Sequence, residues 1–381
     1  MIQHRLTLLA LGVLSSVLFL PPIADAQDDF YALYNRYQFH QIGVSARSVG
    51  MGGVYSALTG GDMSLLGNPA SLGFQDQRYV MFQTDLGDLS SDISAEDPFT
   101  GIGQAKKSDA DMLALGGGLA YPFEWGGLGL YYDYRDDDVD YNSFRMSTGS
   151  LKQSGDLQRH AISFGGGYRV REDISIGYRY TYMDGDMDTV GSLDGLIPLS
   201  FSVNEDFEGH RNHFGVQYKA NEMLMFGLDG IYGFGDRDVK NVFTMGGTTT
   251  DKGDSDADSW FVRGGVAWQA EQIPLLLAMD LKFENRELRG GLMDVDEYLW
   301  GMHLGAEYEV YENLFLRAGY TFEEYDFQDR PAEINESPTI GSYSAGLGYR
   351  YEQFSIDYGF IWSDTGASGD FTHVIGVGFH F

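Results

Sequence analysis

Two arginines are the side chains in this sequence that are best suited to bind a ligand. Arg317 and Arg350 alternate with apolar residues at period two, which places them on the face opposite the apolar one. A guanidinium group can hold a carboxylate through two parallel hydrogen bonds, so these residues are candidates for binding an acidic ligand. The alternative is that inward-facing charges pair with one another and fill the interior. Apolar side chains of the same parity predict an adjoining pocket: Met223, Met225, Phe261 and Phe315.

Alternating aspartates are the strongest candidates for metal chemistry. They occur in Asp184–Asp188 (DGDMD) and in Asp254–Asp258 (DSDAD). Neither run has the Gly at the sixth position and the Glu at the twelfth that an EF-hand requires. We therefore predict no metal site and no cofactor, and interpret both runs as solvated loop carboxylates. The alternative is that divalent cations bridge them to lipopolysaccharide phosphates.

The sequence carries no enzyme signature. The patterns G-x-S-x-G, H-E-x-x-H and the P-loop are absent, and His210 with His213 is too small a set for a metal site. We therefore predict no catalytic residues. A phospholipase with a Ser/His pair on its outer surface is the alternative that a single sequence leaves open.

Charge and composition narrow the class of protein. The 381 residues carry a net charge of −31, which excludes a nucleic-acid partner because phosphates require Lys and Arg. The absence of Cys excludes disulfides, thiolate metal sites and a lipoprotein anchor. A mean hydropathy of −0.24 is too polar for a helical membrane protein. It is compatible with a membrane barrel, in which only every second strand residue faces lipid.

The N-terminus has the features of a secretory signal. Arg5 precedes an apolar segment, Leu6–Leu20, and the small residues of Ala24–Ala26 form a cleavage pattern. We predict that residues 1–26 are a signal peptide removed before Gln27. The alternative, a transmembrane anchor, is disfavoured because spanning a bilayer requires about 20 apolar residues.

Strict alternation begins near Arg78. In Phe354–Trp362, for example, every second residue from Phe354 is apolar. About fourteen such segments are separated by connections that alternate between short and long. The pattern predicts an all-β fold, a transmembrane antiparallel β-barrel over residues 78–381. Its long loops are expected outside the cell. Its expected surroundings are outer-membrane lipid and lipopolysaccharide. The predicted long loops are 87–110, 137–157, 185–209, 235–258, 286–297, 326–340 and 363–372.

The sequence ends on an aromatic residue. In Thr372–Phe381 the apolar parity finishes at Phe381. A terminal aromatic on an amphipathic last strand resembles the signal recognised by the barrel-assembly machinery, and this resemblance implies that Phe381 is an assembly signal. The alternative is an ordinary edge strand that ends in Phe by chance.

Residues 27–77 lack the alternation and form a separate segment. Asp62 can cap one helical turn, and Asn68 can cap a second with Pro69 at its first position and Gly73 at its end. The segment is too small to have its own core. We therefore predict a compact hatch, or plug, that packs inside the barrel.

Two stretches of this hatch resemble a known family. Gly50–Leu58 (GMGGVYSAL) and Gly67–Leu72 (GNPASL) are similar to the N-terminal signature of the FadL/TodX outer-membrane transporters, and to the related PorV/PorQ proteins. The resemblance covers about 30 residues. Ser71 replaces the usual Gly, and the spacer carries one acid, Asp62, where the family often has two.

The resemblance implies a fourteen-stranded barrel in the outer membrane of a Gram-negative (diderm) bacterium. It implies a hatch motif at Asn68, Pro69 and Ala70, for which simple capping is an equal alternative. It also implies passive uptake of hydrophobic small molecules, such as long-chain fatty acids or hydrocarbons, through a lateral opening. Two other functions remain open: a PorV-like component of a protein secretion system, and a general porin.

Small residues predict where the hatch lies. Ala114, Gly116, Gly118 and Ala120 alternate on the inward face of the second segment, followed by Gly127 and Gly129 on the third. Small side chains leave room for another backbone to approach closely. We therefore predict that the hatch lies against this wall, or that the wall deforms there.

Overall fold

The computed structural model describes residues 45–96, 103–146, 149–195, 199–244, 248–290, 293–329, 334–336, 339–364 and 369–381. The predicted signal peptide and residues 27–44 of the predicted hatch lie outside this part.

Two short helices, α1 (Ala46–Gly50) and α2 (Asp62–Leu66), and a 3-10 helix (Pro69–Phe74) precede the strands. The strands are β1 Tyr79–Glu96, β2 Gly103–Phe123, β3 Gly126–Met146, β4 Gly149–Arg171, β5 Ile174–Gly195, β6 Leu199–Lys219, β7 Leu224–Thr244, β8 Thr248–Gln269, β9 Leu275–Gly290, β10 Met293–Tyr311, β11 Leu314–Asp329, β12 Ile334–Glu336, β13 Thr339–Tyr351, β14 Phe354–Asp364 and β15 Gly369–His380.

Fourteen of these strands form a closed antiparallel barrel, which confirms the predicted fold class. Consecutive wall strands pair along the chain, and β1 pairs with β15 to close the ring. The short β12 pairs with β11 alone, beyond the wall. Register shifts between wall strands occur only near strand ends in the described residues, so the ladder is unbroken at mid-barrel.

The period-two pattern separates the two faces of the wall. On β4, Ile162 and Phe164 are about half exposed on the outside, whereas Ser163 between them is buried. The same alternation places large apolar side chains outside all around the barrel, where lipid replaces water. None of the helices in the described part is long and apolar enough to cross a membrane.

The strands are much longer than the alternation predicted, and this corrects the predicted loops. Residues 137–157, for example, are mostly strand, because β3 runs to Met146 and β4 starts at Gly149. Backbone pairing of the strands continues past the apolar band. There the polarity of the two faces is reversed, so that polar side chains face outward and apolar side chains face inward. On β5, Asp184 and Asp186 face outward while Met183 is buried inside. The acidic runs therefore lie on exposed strand faces and not in loops.

Candidate functional site

The hatch seats on inward-facing glycines of the barrel wall. A Cβ atom at Gly227 would overlap the carbonyl oxygen of Ser56, and one at Gly319 would overlap the backbone nitrogen of Gly52. The hatch backbone thus lies directly on the wall, at a distance that only glycine permits. Glycines that face the hatch backbone in this way occur on many strands: Gly127, Gly167, Gly177, Gly227, Gly305, Gly319, Gly346 and Gly359.

The predicted contact between the hatch and the small-residue wall is confirmed. A Cβ atom at Gly118 would lie 3.2 Å from Leu65 Cδ1, and one at Gly129 would lie 2.9 Å from Leu65 Cδ2, both closer than ordinary van der Waals contact. Leu65 and Leu72 share one buried apolar cluster with Ala120 and other residues of the first three strands. This part of the wall therefore receives the apolar side of the hatch.

Asn68 is the most completely bonded side chain of the hatch motif. It is fully buried, and its amide group donates to the carbonyl oxygens of Ser56 (3.0 Å), Val216 (3.3 Å) and Leu228 (3.3 Å). Its Oδ1 accepts from the backbone nitrogen of Ala70 (3.0 Å), which is the predicted cap. Asn68 therefore ties two parts of the hatch to strands β6 and β7, and its contacts are those of a positioning residue.

We expect Asn68→Asp to destabilise the folded barrel. The substitution removes the amide donor and places a carboxylate among three carbonyl oxygens, which should lower the free energy of unfolding by about 3 kcal/mol. Urea titration in detergent micelles measures this value. Asn221→Asp is the matched control, because the Oδ1 of the exposed Asn221 accepts from the backbone nitrogen of Met223, a bond that aspartate can keep. Equal effects of the two substitutions would contradict this role of Asn68.

Two buried aspartates of the wall hold the middle of the hatch. Asp280 Oδ2 accepts from the backbone nitrogens of Tyr55 (2.9 Å) and Ser56 (3.1 Å). Asp229 accepts from the Ser56 hydroxyl (2.7 Å) and the Tyr55 hydroxyl (3.2 Å), and its Oδ2 lies 3.1 Å from Nε2 of His213. Hydrogen bonds to an ionised carboxylate are stronger than those between neutral groups.

An ion-pair network joins the hatch to the wall near the short turns of the barrel. Arg47 of the hatch binds both carboxylate oxygens of Glu307 (2.9 and 2.7 Å). Arg317 also binds Glu307 (2.7 Å) and lies 2.7 Å from Asp357. The Arg317 guanidinium, predicted as a ligand clamp, thus contacts two carboxylates of the chain. Its role in ligand binding stays a prediction.

Among residues 45–77 of the hatch, Asp62 is a buried acid. Burial raises the pKa of the Asp62 carboxyl, and the nearby Asp357 raises it further, while Arg47 opposes both effects. Asp62 Oδ1 accepts from the backbone nitrogen of Met63 at the start of α2. Burial and Asp357 thus both favour the neutral form of the Asp62 carboxyl.

A chamber of about 330 Å³ lies above the hatch. Its floor includes Val49, Tyr55 and Met63, and its walls come from strands all around the barrel. Of the predicted pocket residues, Phe261 lines the chamber and is 7% exposed. The sequence analysis did not place Val49, Tyr55 and Met63 of the hatch in the chamber. The predicted helical turn from Asp62 and the parity of the strands together indicate that such hatch side chains meet the inward-facing residues of the wall.

The remaining predicted pocket residues lie elsewhere. Met225 packs against the hatch cluster that contains Met51. Met223 precedes β7 in a turn and is partly exposed. Arg350 stacks on the Phe315 ring at 4.5 Å, close to the short turns. Their role in ligand binding stays a prediction. In the described residues, no group of three or more His, Asp or Glu side chains is arranged to hold a metal.

Solved structures with a similar fold include hydrocarbon transporters and a FadL homologue. The Pseudomonas putida toluene transporter TodX aligns at a TM-score of 0.58 and 15% identity, over 90% of this chain and 99% of its own. The Ralstonia pickettii toluene transporter TbuX gives 0.64 and 16%, over 90% and 100%. A Pseudomonas aeruginosa FadL homologue gives 0.67 and 11%, over 90% and 98%. No family model and no curated protein matches the sequence.

Proposed function

We propose that this chain is an outer-membrane channel of the FadL/TodX type for the uptake of hydrophobic small molecules. The observation that carries the proposal is a chamber of about 330 Å³ inside a closed β-barrel, bounded on one side by residues 45–67 of the hatch. The likeness in fold to TodX, TbuX and a FadL homologue supports it. The proposal assigns no catalytic activity.

The same proposal places the chain in the outer membrane of a diderm bacterium. The apolar outer face suits lipid, and the acidic strand extensions suit the aqueous side of a lipopolysaccharide layer. We further propose that the assembly machinery recognises Phe381. Its side chain is about half exposed, and its backbone nitrogen donates to the carbonyl of Arg78. The ring therefore remains accessible at the closing seam.

A PorV-like role in protein secretion is the second candidate, and one observation favours it. The hatch is bonded to the wall on many sides, and the strand ladder is unbroken at its depth in the described residues. A barrel built in this way could serve as a rigid partner for other proteins without conducting a ligand.

Uptake of labelled toluene and palmitate by diderm cells with an intact lipopolysaccharide layer separates the two candidates. A channel should increase the initial rate of uptake above that of cells carrying an empty vector. A barrel that serves only as a protein partner should leave the rate unchanged, and this result would overturn the proposed uptake function.

A further inference from the structure

A groove of about 640 Å³ lies on the outer face of the wall, across strands β4 to β8. Phe214 and Leu228 border it, and the side chain of each is more than half exposed. Gly230 lies directly opposite Phe214 and two residues from Leu228, and its missing side chain leaves the depression. The other large outward-facing side chains around the groove are Tyr168, Ile176, Tyr178, Val216 and Val262.

The hatch supports the floor of this groove from inside the barrel. Gly167 and Gly177 form part of the floor. A Cβ atom at Gly177 would overlap the backbone of Pro69, and one at Gly167 would overlap the backbone nitrogen of Gly73. The floor is therefore a single layer of backbone backed by the hatch. A ligand loses little free energy in shaping a groove that is already formed.

The groove is continuous with the lipid-facing surface of the barrel. Its outward-facing side chains are aliphatic or aromatic, and the neighbouring Ile162 and Phe164 are about half exposed on the same face. In a membrane barrel this face contacts lipid. The volume of the groove lies within the range of about 300–1,000 Å³ that is typical of ligand pockets. A lipid acyl chain therefore matches the groove in polarity and in size.

Aromatic rings mark the end of the groove that is nearest the short turns. Trp125 lies in the turn between β2 and β3, and its ring centroid is 6.4 Å from that of Tyr168. Both residues line the groove. Because Trp and Tyr prefer the interface between the bilayer and water, this end of the groove lies at the level of the lipid headgroups.

Two exposed ion pairs lie beyond this aromatic end. Arg171 pairs with Asp173 (2.9 Å) at the turn between β4 and β5. Lys219 pairs with Glu222 (3.2 Å) at the turn between β6 and β7. The backbone nitrogen of Lys219 donates to the carbonyl of Asp173 (2.8 Å), so the two pairs are adjacent. Together they present two positive and two negative charges beside the groove.

The distance between the groove and these charges suits a phospholipid. Arg171 and Lys219 each lie three positions beyond a residue of the groove, which is about 10 Å along a strand. The two groove residues are Tyr168 and Val216. A phospholipid whose acyl chain lies in the groove therefore reaches the ion pairs with its headgroup.

We propose that this groove binds an acyl chain of a membrane phospholipid with a zwitterionic headgroup. Arg171 and Lys219 bind the phosphate. Asp173 and Glu222 bind the ammonium group, and their charges disfavour an anionic headgroup. The lipid belongs to the leaflet beside the short turns and lies outside the barrel. The site is therefore independent of the proposed uptake through the chamber.

Native mass spectrometry of the purified barrel in mild detergent tests this proposal, with dioleoyl phosphatidylethanolamine as the added lipid. Gly230→Leu should weaken lipid binding at least about tenfold, because the new side chain fills the groove. Its Cβ would lie 3.5 Å from the carbonyl oxygen of Phe261, an ordinary contact that leaves the wall intact. Gly264→Leu is the matched control, since Gly264 faces outward on the neighbouring strand and its Cβ would have only Leu228 nearby, at 3.8 Å.

The headgroup contacts are tested in the same measurement. Arg171→Gln should weaken binding of phosphatidylethanolamine about fivefold, the usual contribution of one cation near a headgroup. Phosphatidylglycerol with the same acyl chains should bind more weakly to the unmodified barrel than phosphatidylethanolamine does, because Asp173 and Glu222 repel an anionic headgroup.

Three outcomes would overturn the proposal. One is that Gly230→Leu and Gly264→Leu, both shown to be folded by heat-modifiable mobility on gels, bind the lipid alike. Another is that phosphatidylglycerol binds as tightly as phosphatidylethanolamine. The third is that added palmitate or a second copy of the barrel occupies the groove, seen as adducts or dimers that Gly230→Leu abolishes. If the lipid binds in the groove but cells show no uptake, the transport function fails while the lipid site stands.

Discussion

Gly227→Ala should prevent the hatch from seating in the barrel. The added methyl group would overlap the carbonyl oxygen of Ser56 in the hatch backbone, where no side-chain movement can relieve the clash. Either the hatch segment or strand β7 must shift, and overpacking of this kind costs about 1–3 kcal/mol. Since Ser56 is also held by Asp229 and Asp280, the shift breaks those bonds as well.

Two measurements report this effect. Urea titration should show a lower free energy of unfolding, and planar-bilayer recording should show increased ion conductance as the hatch loosens. Gly264→Ala is the matched control, because Gly264 faces outward on the neighbouring strand and its Cβ would have only Leu228 nearby, at 3.8 Å. If Gly227→Ala behaves like Gly264→Ala in both measurements, the hatch does not lie against the wall as described.

Glu307→Gln should be the most destabilising change of a single charged group. Glu307 accepts hydrogen bonds from Arg47 of the hatch and from Arg317 of the wall, and all three side chains are largely buried. Removing the carboxylate leaves two guanidinium groups without their shared partner. Breaking a buried pair in this way costs about 3–5 kcal/mol.

Glu309→Gln is the matched control for this substitution. Glu309 lies two residues further along the same strand, and its Oε1 accepts from the backbone nitrogen of Asn313 (2.8 Å), a bond that glutamine can keep. Urea titration of both variants should therefore show a large loss for Glu307→Gln and little change for Glu309→Gln. Comparable losses would mean that the network does not hold the hatch.

Sequence periodicity predicted the barrel because the same alternation of apolar outward-facing and polar inward-facing side chains recurs in strand after strand. Each wall residue faces either lipid or the interior, so Ile162 and Phe164 reveal their face by type alone. The strand ends were not predictable in the same way. Beyond the bilayer both faces meet polar surroundings or packed side chains. Asp186 was therefore predicted to lie in a loop, although its backbone remains paired in β5.

The site was harder to predict than the fold. Parity placed Phe261 and Arg317 inside the barrel but could not give their height along it. Arg317 lies at the ion-pair network beneath the hatch, whereas Phe261 lies in the chamber above it. That difference depends on the stagger of the strands around the ring and on the path of the hatch, and neither is encoded in local spacing. The small residues were informative because a close backbone approach requires them.

The most direct test of the uptake function is the initial rate of toluene and palmitate uptake by cells that make Ala114→Phe or Leu115→Phe. Ala114 lines the chamber, whereas the adjacent Leu115 faces outward and is 48% exposed. A phenyl group inside should fill the chamber, while one outside only replaces another apolar side chain. We predict that Leu115→Phe retains the uptake rate of the unmodified protein and that Ala114→Phe falls toward the empty-vector rate. Uptake by Ala114→Phe at the full rate, with the variant folded in the membrane, would contradict passage through the chamber.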